Sequence, residues 1–387
     1  MLFIKNGNIF TMAGDIIEGG SILIKDGKIE EIGKDIAAPL DVEVIDAEGK
    51  MVLPGFIDAH CHIGMWEEGM GFEGSDGNEY IDPVTPHLRA IDAINPMDMA
   101  FEEAYMGGVT TAVTGPGSAN VIGGMFVALK TYGKRVDDMI LKEPVAMKIA
   151  FGENPKRVYE SQKKSPATRM ATAAILRETL FKAKNYMEKQ EEAIEEPDKM
   201  PEYDMKMEAL VKVLKKEMPL KAHAHRADDI FTALRIAKEF DVDITLDHCT
   251  EGHLIADYLA EEGKGAIVGP TLSNRSKVEL RNLTFDTPKA LHEVGVKIAI
   301  MTDSPVIPLH YLPICAGLAV KSGLDEMEAL KAITINAAEI VGIDDKVGSI
   351  EIGKDADIVI FDGNPIKDID CKTIATIING EVVYKAK

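Results

Sequence analysis

The sequence predicts an α/β protein: a (β/α)₈ TIM barrel with a small discontinuous β-sandwich built from both termini. Three observations carry this. Across the middle of the chain, eight short apolar runs alternate with helix-like stretches, the pattern of a sheet wrapped by helices. Short strand-like segments separated by turn signals lie before and after that region. The residues that close several of the apolar runs are histidine, aspartate and lysine, at the end of the barrel where active sites are built.

The first segment, 1–52, reads as short strands: Leu2-Phe3-Ile4, Ser21-Ile22-Leu23-Ile24, Lys28 to Gly33 and Val42-Glu43-Val44-Ile45, with Asn6-Gly7 and Asp26-Gly27 as hairpin signals. The last, 346–387, repeats that character, with Ala356 to Phe361, Ile374 to Ile378, the turn Asn379-Gly380, and Glu381 to Tyr384. A β segment at each end implies that the two pair into one sandwich, leaving 53–345 for the barrel. The barrel runs are 51–57, 108–114, about 125–129, 144–151, 219–223, 242–247, 265–268 and 296–301. Between the fourth and fifth, about 160–218 is longer than one crossover helix requires. There Met170, Ala174, Leu176, Leu180, Ala183 and Met187 recur at helical spacing, and a second helix is expected near 203–217. Such a helical pair is expected to be mostly solvated, with a lid or an oligomer contact as the functional alternative.

The first run ends in His60-Cys61-His62. Side chains two apart on a strand share a face, so both imidazoles converge on one point, as a metal requires. Lys148 lies inside the fourth run, His223 and His225 end the fifth, Asp247-His248 the sixth, and Thr302-Asp303 follows the eighth. Any one alone is an ordinary core histidine or helix cap. Five strand ends meeting at one mouth with ligand-type residues indicate a metal site.

Composition narrows the partners. A net charge of −21 and a pI near 4.9 exclude a basic stripe for nucleic acid or an anionic membrane, leaving a small-molecule substrate. Four scattered cysteines form neither a disulfide framework nor a CxxC zinc site. With no leader-like start and no spanning run, a cytoplasmic protein is expected.

Two stretches, Val52 to His62 (Val-Leu-Pro-Gly-Phe-Ile-Asp-Ala-His-Cys-His) and Val347 to Val359 (Val-Gly-Ser-Ile-Glu-Ile-Gly-Lys-Asp-Ala-Asp-Ile-Val), resemble the amidohydrolase superfamily of metal-dependent hydrolases. The likeness covers nearly the whole chain and is nearest to its imidazolonepropionase-like and prolidase-like members. It implies hydrolysis of a C–N bond (amide, peptide or cyclic amide) by metal-activated water. Carried over residue by residue, it implies that His60 and His62 hold the more buried ion, His223 and His248 the more exposed one, and that Asp303 is both ligand and catalytic acid/base. The cofactor expected is a divalent metal, two zinc ions first, with manganese, iron or nickel as alternatives.

Lys148 decides the metal count. A lysine so deep in an apolar run needs a partner, and in binuclear members of the family a strand-four lysine is carbamylated and bridges both ions. The alternatives are a Lys148 that faces outward with its ammonium in water, or Glu153, since other branches use a strand-four glutamate. By the same likeness His225 is assigned to substrate contact or to supporting the metal ligands from behind. Arg157, Arg226, Arg275 and Lys277 follow strands four, five and seven, and basic groups kept at the mouth of an acidic protein suggest an anionic substrate group; pairing with nearby acids is the bland alternative. Two other functions stay open: deamination of an amino-heterocycle, whose family members carry His-x-x-Glu where this chain has His223-Ala224-His225-Arg226, and a non-catalytic scaffold. A homo-oligomer is possible on this fold.

Overall fold

The computed structural model describes residues 1–387. Five strands open the chain: β1 (Leu2–Ile9), β2 (Ile17–Lys25), β3 (Lys28–Gly33), β4 (Glu43–Asp46) and β5 (Met51–Pro54). Eight more form the barrel: β6 (Phe56–Cys61), β7 (Val109–Thr114), β8 (Ile122–Lys130), β9 (Ile140–Ala150), β10 (Leu220–Ala224), β11 (Ile244–His248), β12 (Ala266–Val268) and β13 (Ile298–Ile300). The chain closes with β14 (Ile358–Phe361), β15 (Thr373–Ile378) and β16 (Glu381–Lys385). No helix is long and apolar enough to cross a membrane.

The terminal strands make one sheet in the order β16-β15-β14-β5-β1-β2-β3, with β4 beside β1. The two ends meet at β5, antiparallel to β14 and parallel to β1. Ile4, Ile22, Ile24 and Val52 from one end pack with Ile358, Ile360 and Ile377 from the other, each buried isoleucine contributing roughly 1.5–3 kcal/mol. Asp26-Gly27 and Asn379-Gly380 have positive φ at both residues and close β2–β3 and β15–β16 as the two-residue turns that such pairs favour. Asn6-Gly7 is different: it forms no hairpin but a bulge within β1, where the register to β2 shifts.

The apolar run 51–57 is divided. Met51–Pro54 belongs to the terminal sheet and Phe56 begins the barrel, with Gly55 between them. A Cβ at Gly55 would lie 2.0 Å from Thr110 Oγ1, so the chain crosses from one sheet to the other against β7 where no side chain fits.

The barrel sheet runs β13-β12-β11-β10-β9-β8-β7-β6. Its one departure from the expected parallel order is β8, the third apolar run, which is antiparallel to both β7 and β9. The seven residues between Thr114 and Ile122 are too few for a parallel crossover, which needs about a dozen. Between β6 and β13 no ladder forms, and the seam is held otherwise. Asp58 accepts from the Thr302 N–H at 2.9 Å and its hydroxyl at 2.6 Å, and the His62 N–H donates to the Ser304 carbonyl at 2.8 Å.

The long β9–β10 connection contains helices Glu153–Ser161, Arg169–Glu192 and Met205–Leu214. The second is capped by Thr168, which accepts from the Ala171 N–H at 3.1 Å. Its buried face is Thr172, Leu176, Thr179, Leu180 and Ala183, whereas Met170 is exposed and Ala174 faces water. Leu176, Leu180 and Ala183 join Leu210 and Val213 in the main core, so this pair is part of the barrel's outer layer. Neither helix lines the central cavity, which removes the basis for the lid alternative.

Candidate metal centre

On β6 the strand alternation turns Asp58, His60 and then His62 to the barrel interior; on β9 it turns Lys148 inward; on β10, Lys221 and His223. On β11 regular alternation would send Asp247 and His248 to opposite faces. Instead φ is +70° at His248 and +49° at Cys249, a left-handed kink that lets both residues serve the centre. Asp303 is held likewise, at φ +54°. Such backbone costs roughly 1–3 kcal/mol per residue and persists where the surroundings impose it.

The side chains gather in two groups, His60, His62 and Asp303 in one and His223, His225 and His248 in the other. Asp303 Oδ1 lies 3.4 Å from His60 Nε2 and 3.2 Å from His62 Nε2. Nitrogen and oxygen ligands about 2.0–2.2 Å from one tetrahedral ion lie roughly 3.3–3.6 Å apart, so these spacings match a shared ion. Asp303 Oδ1 and His225 Nε2 are buried without a hydrogen-bond partner, as donors reserved for an ion are. Tautomers agree. His62 Nδ1 faces the Gly115 carbonyl at 2.7 Å and His248 Nδ1 the Gly269 carbonyl at 2.9 Å; a carbonyl only accepts, so each Nδ1 carries the proton and each Nε2 a lone pair. His60 Nδ1 lies 3.0 Å from Asp247 Oδ2, and neither atom has another hydrogen-bond partner. The residues present therefore fit a divalent metal.

Charge follows from burial. Burial, then the neighbouring histidines, drives His223 well below the usual imidazole range; burial, then His248 and Lys277, does the same to His225. Burial brings His248 down to about 3. Neutral rings are what a metal takes. Asp303 is pushed up by burial, yet His248, His60 and His62 outweigh that and hold it well below the ordinary carboxylate range.

Lys148 is fully buried, which rules out the outward-facing alternative. Its Nζ is 3.4 Å from His60 Nε2, 3.8 Å from Asp247 Oδ2 and 5.4 Å from the centre of the Phe126 ring. Burial above all brings the ammonium down to about 8. Glu153 starts a helix instead, its N–H donating to Glu279 Oε2 at 2.9 Å, and it does not line the cavity. Of the two strand-four alternatives, only Lys148 reaches the histidines.

Above the centre is a cavity of about 530 Å³, lined among others by Trp66, Asn78, Ser118, Asn154, Lys277 and Val306. His225 belongs to the ligand-type cluster as well as to the cavity, where a substrate contact was expected. Of the four basic residues, only Lys277 lines the cavity. Arg226 pairs with Asp228 at 2.9 and 2.8 Å, Arg275 donates to the Leu283 carbonyl, and Arg157 and Arg275 are exposed outside it. Local partners thus hold Arg226 and Arg275. The sequence reading missed Asp58, Lys221, Asn154 and Trp66, and left Asp247 without a role. Asp58 and Lys221 sit two residues before His60 and His223 on the same strand faces, and that period was the signal available.

A barrel with an inward ring of histidines and an aspartate at one mouth defines the class, a hydrolase with a metal-type ligand set. The chain belongs to the amidohydrolase family, whose model matches residues 51–383, and it is a hydrolytic enzyme acting on carbon–nitrogen bonds. It resembles the crystal structure of an amidohydrolase from Thermotoga maritima MSB8, with a TM-score of 0.97 and 45% identity over all of both chains. Amidohydrolase tasK of Hapsidospora irregularis is 29% identical over 376 residues, 90% of this chain. The chain spans only 38% of that relative's length. An imidazolonepropionase of Symbiobacterium thermophilum is 26% identical over 422 residues, 93% of this chain and 90% of its own.

Proposed function

We propose that the enzyme hydrolyses an amide, peptide or cyclic-amide bond of a small molecule bearing a carboxylate, at a centre of two divalent ions, zinc first. His60, His62 and Asp303 would hold one ion, and His223 and His248, with His225 beside them, the other. A carbamate on Lys148 would bridge the two. The observation that carries this reading is the position of Lys148: it is fully buried, with its Nζ 3.4 Å from His60 Nε2. When bound, such ions bring the pKa of water from about 15.7 toward 7 and polarise a carbonyl oxygen.

The protein's own groups do the rest. Asp303 is ionised and takes a proton from the attacking water as the new C–O bond forms. It then passes that proton to the nitrogen as the C–N bond breaks. Lys277, the cavity's cation, is oriented by Asn154 Oδ1 at 2.8 Å and would receive the substrate carboxylate. Trp66, edge-on to His62 at 5.0 Å, also lines the cavity.

One observation favours a second reading, deamination of an amino-heterocycle. A 5'-deoxyadenosine deaminase of Methanobrevibacter smithii is 25% identical to this chain over 380 residues, 89% of this chain and 80% of its own. Screening N-acyl amino acids, dipeptides and cyclic ureides against amino-heterocycles separates the two. For the binuclear centre, protein prepared with bicarbonate and excess zinc or manganese is expected to hold two ions per chain. Lys148→Ala is expected to hold fewer and to lose activity, with partial recovery on adding short carboxylates. One ion per chain in the unsubstituted protein, or an unmodified Lys148 at full occupancy, overturns the bridge.

A further inference from the structure

Lys221 has no part in the chemistry above, yet it is as buried as the core and aims at the same centre. An ammonium in such a place must be paired. Its Nζ donates to Asp247 Oδ1 at 2.9 Å and to the Ala59 carbonyl at 3.0 Å, and it stands over the Phe126 ring at 5.6 Å. All of these partners also bear on His60. Asp247 presents its other oxygen to His60 Nδ1 at 3.0 Å. Ala59 immediately precedes His60 in the chain, and Phe126 stacks on the His60 ring at 5.3 Å.

We propose that Lys221 is a positioning residue, acting through Asp247 to fix the orientation and tautomer of His60. This rests on the metal-centre reading given above and adds a residue and a mechanism to it. In the metal-free protein, before Lys148 takes up a carbamate, Asp247 has two cations within reach, Lys221 at 2.9 Å and Lys148 at 3.8 Å. With Lys221 holding Oδ1, Oδ2 stays aimed at His60 Nδ1, the proton stays there, and Nε2 keeps its lone pair toward Asp303. Without Lys221 the carboxylate is free to turn to Lys148, and both the ring and the strand-four lysine lose their set positions. Carboxylates that orient a liganding histidine are commonly worth about 10- to 100-fold in metal affinity.

The test is titration of metal-free protein with cobalt(II), read by its visible ligand-field absorption, together with thermal melts of the metal-free forms. Lys221→Met is expected to weaken the tighter cobalt site about 10- to 100-fold and to alter its absorption bands. Asp247→Asn, which preserves shape, is expected to do the same and stands as the second variant if Lys221→Met does not fold. The double variant is expected to lose no more than either single one, because the two act as a unit. Wild-type cobalt affinity in either folded variant, even with a lowered melting temperature, makes the pair a purely structural bridge and overturns the inference. Losses that multiply in the double variant overturn the relay. If the unsubstituted protein bound no cobalt at all, it is the metal-centre reading that falls.

Discussion

Asp58 and Thr302 lie 244 positions apart and share two hydrogen bonds, the carboxylate Oδ2 accepting the threonine hydroxyl at 2.6 Å and its N–H at 2.9 Å. The other oxygen accepts the His60 N–H at 3.0 Å. One buried carboxylate thus joins the strand that carries His60 and His62 to the residue before Asp303, where β6 and β13 share no ladder. Asp58→Ala leaves three buried donors without an acceptor, at about 1–3 kcal/mol each. The expected result is a marked fall in melting temperature together with reduced metal content. Asp58→Asn, keeping one oxygen, should be intermediate. Calorimetry and elemental analysis of both variants check this, and an Asp58→Ala protein with unchanged stability would show that the seam does not depend on it.

Asp303→Asn should fold and lose turnover. The amide retains the size and an oxygen, but it cannot accept the proton that the reaction moves, and general acid–base catalysis is worth about 10²–10⁴-fold. Steady-state rates on any substrate found give the measurement. Near-normal turnover would remove Asp303 from the chemistry.

Lys277→Met tests the substrate carboxylate. A hydrogen bond to a charged group is worth about 1.5–3 kcal/mol, which corresponds to a KM raised roughly 10- to 100-fold. The effect is expected only for substrates carrying the carboxylate; their neutral amide analogues should be unaffected. An equal change for both would assign Lys277 to holding Asn154 and Glu279 in place, its other neighbours.

The residues at strand ends were readable because alternation tells which side chains share a face: His60 with His62, and His223 with His225. The same rule applied two residues earlier points to Asp58 and Lys221, but a reading confined to the ends of the runs passes over them. Strand direction was not legible in β8, since an apolar run looks alike in both directions; only the short Thr114–Ile122 connection distinguishes them. Nor does an unbroken apolar stretch reveal that the chain changes sheets at Gly55, a step imposed by Thr110 from another strand. The arginines mislead for a related reason. Position after a strand does not say where a long side chain turns, and Arg226 turns to Asp228.

Lys130 offers a prediction about stability and its dependence on pH. At the end of β8 it is buried and donates to Asp355 at 2.9 Å and to Asp357 at 2.6 Å, so it joins the barrel to the segment that leads into β14. Removing one partner from such a buried group strands the others, and Lys130→Met is expected to cost about 3–5 kcal/mol at neutral pH. For Asp355, burial favours the protonated form, but Lys130 and Lys28 outweigh it and hold its pKa below the ordinary value. A depressed carboxylate contributes stability that is fully present above its unfolded pKa of about 3.9 and is lost as pH falls through the lower folded value. The substituted protein lacks the larger part of that depression. Its deficit should therefore be greatest near neutrality and shrink as pH falls below about 4, where Asp355 takes up a proton and needs no cation. Urea unfolding of both proteins across that range gives the comparison; a deficit that stays constant would mean that Lys130 contributes packing and not charge.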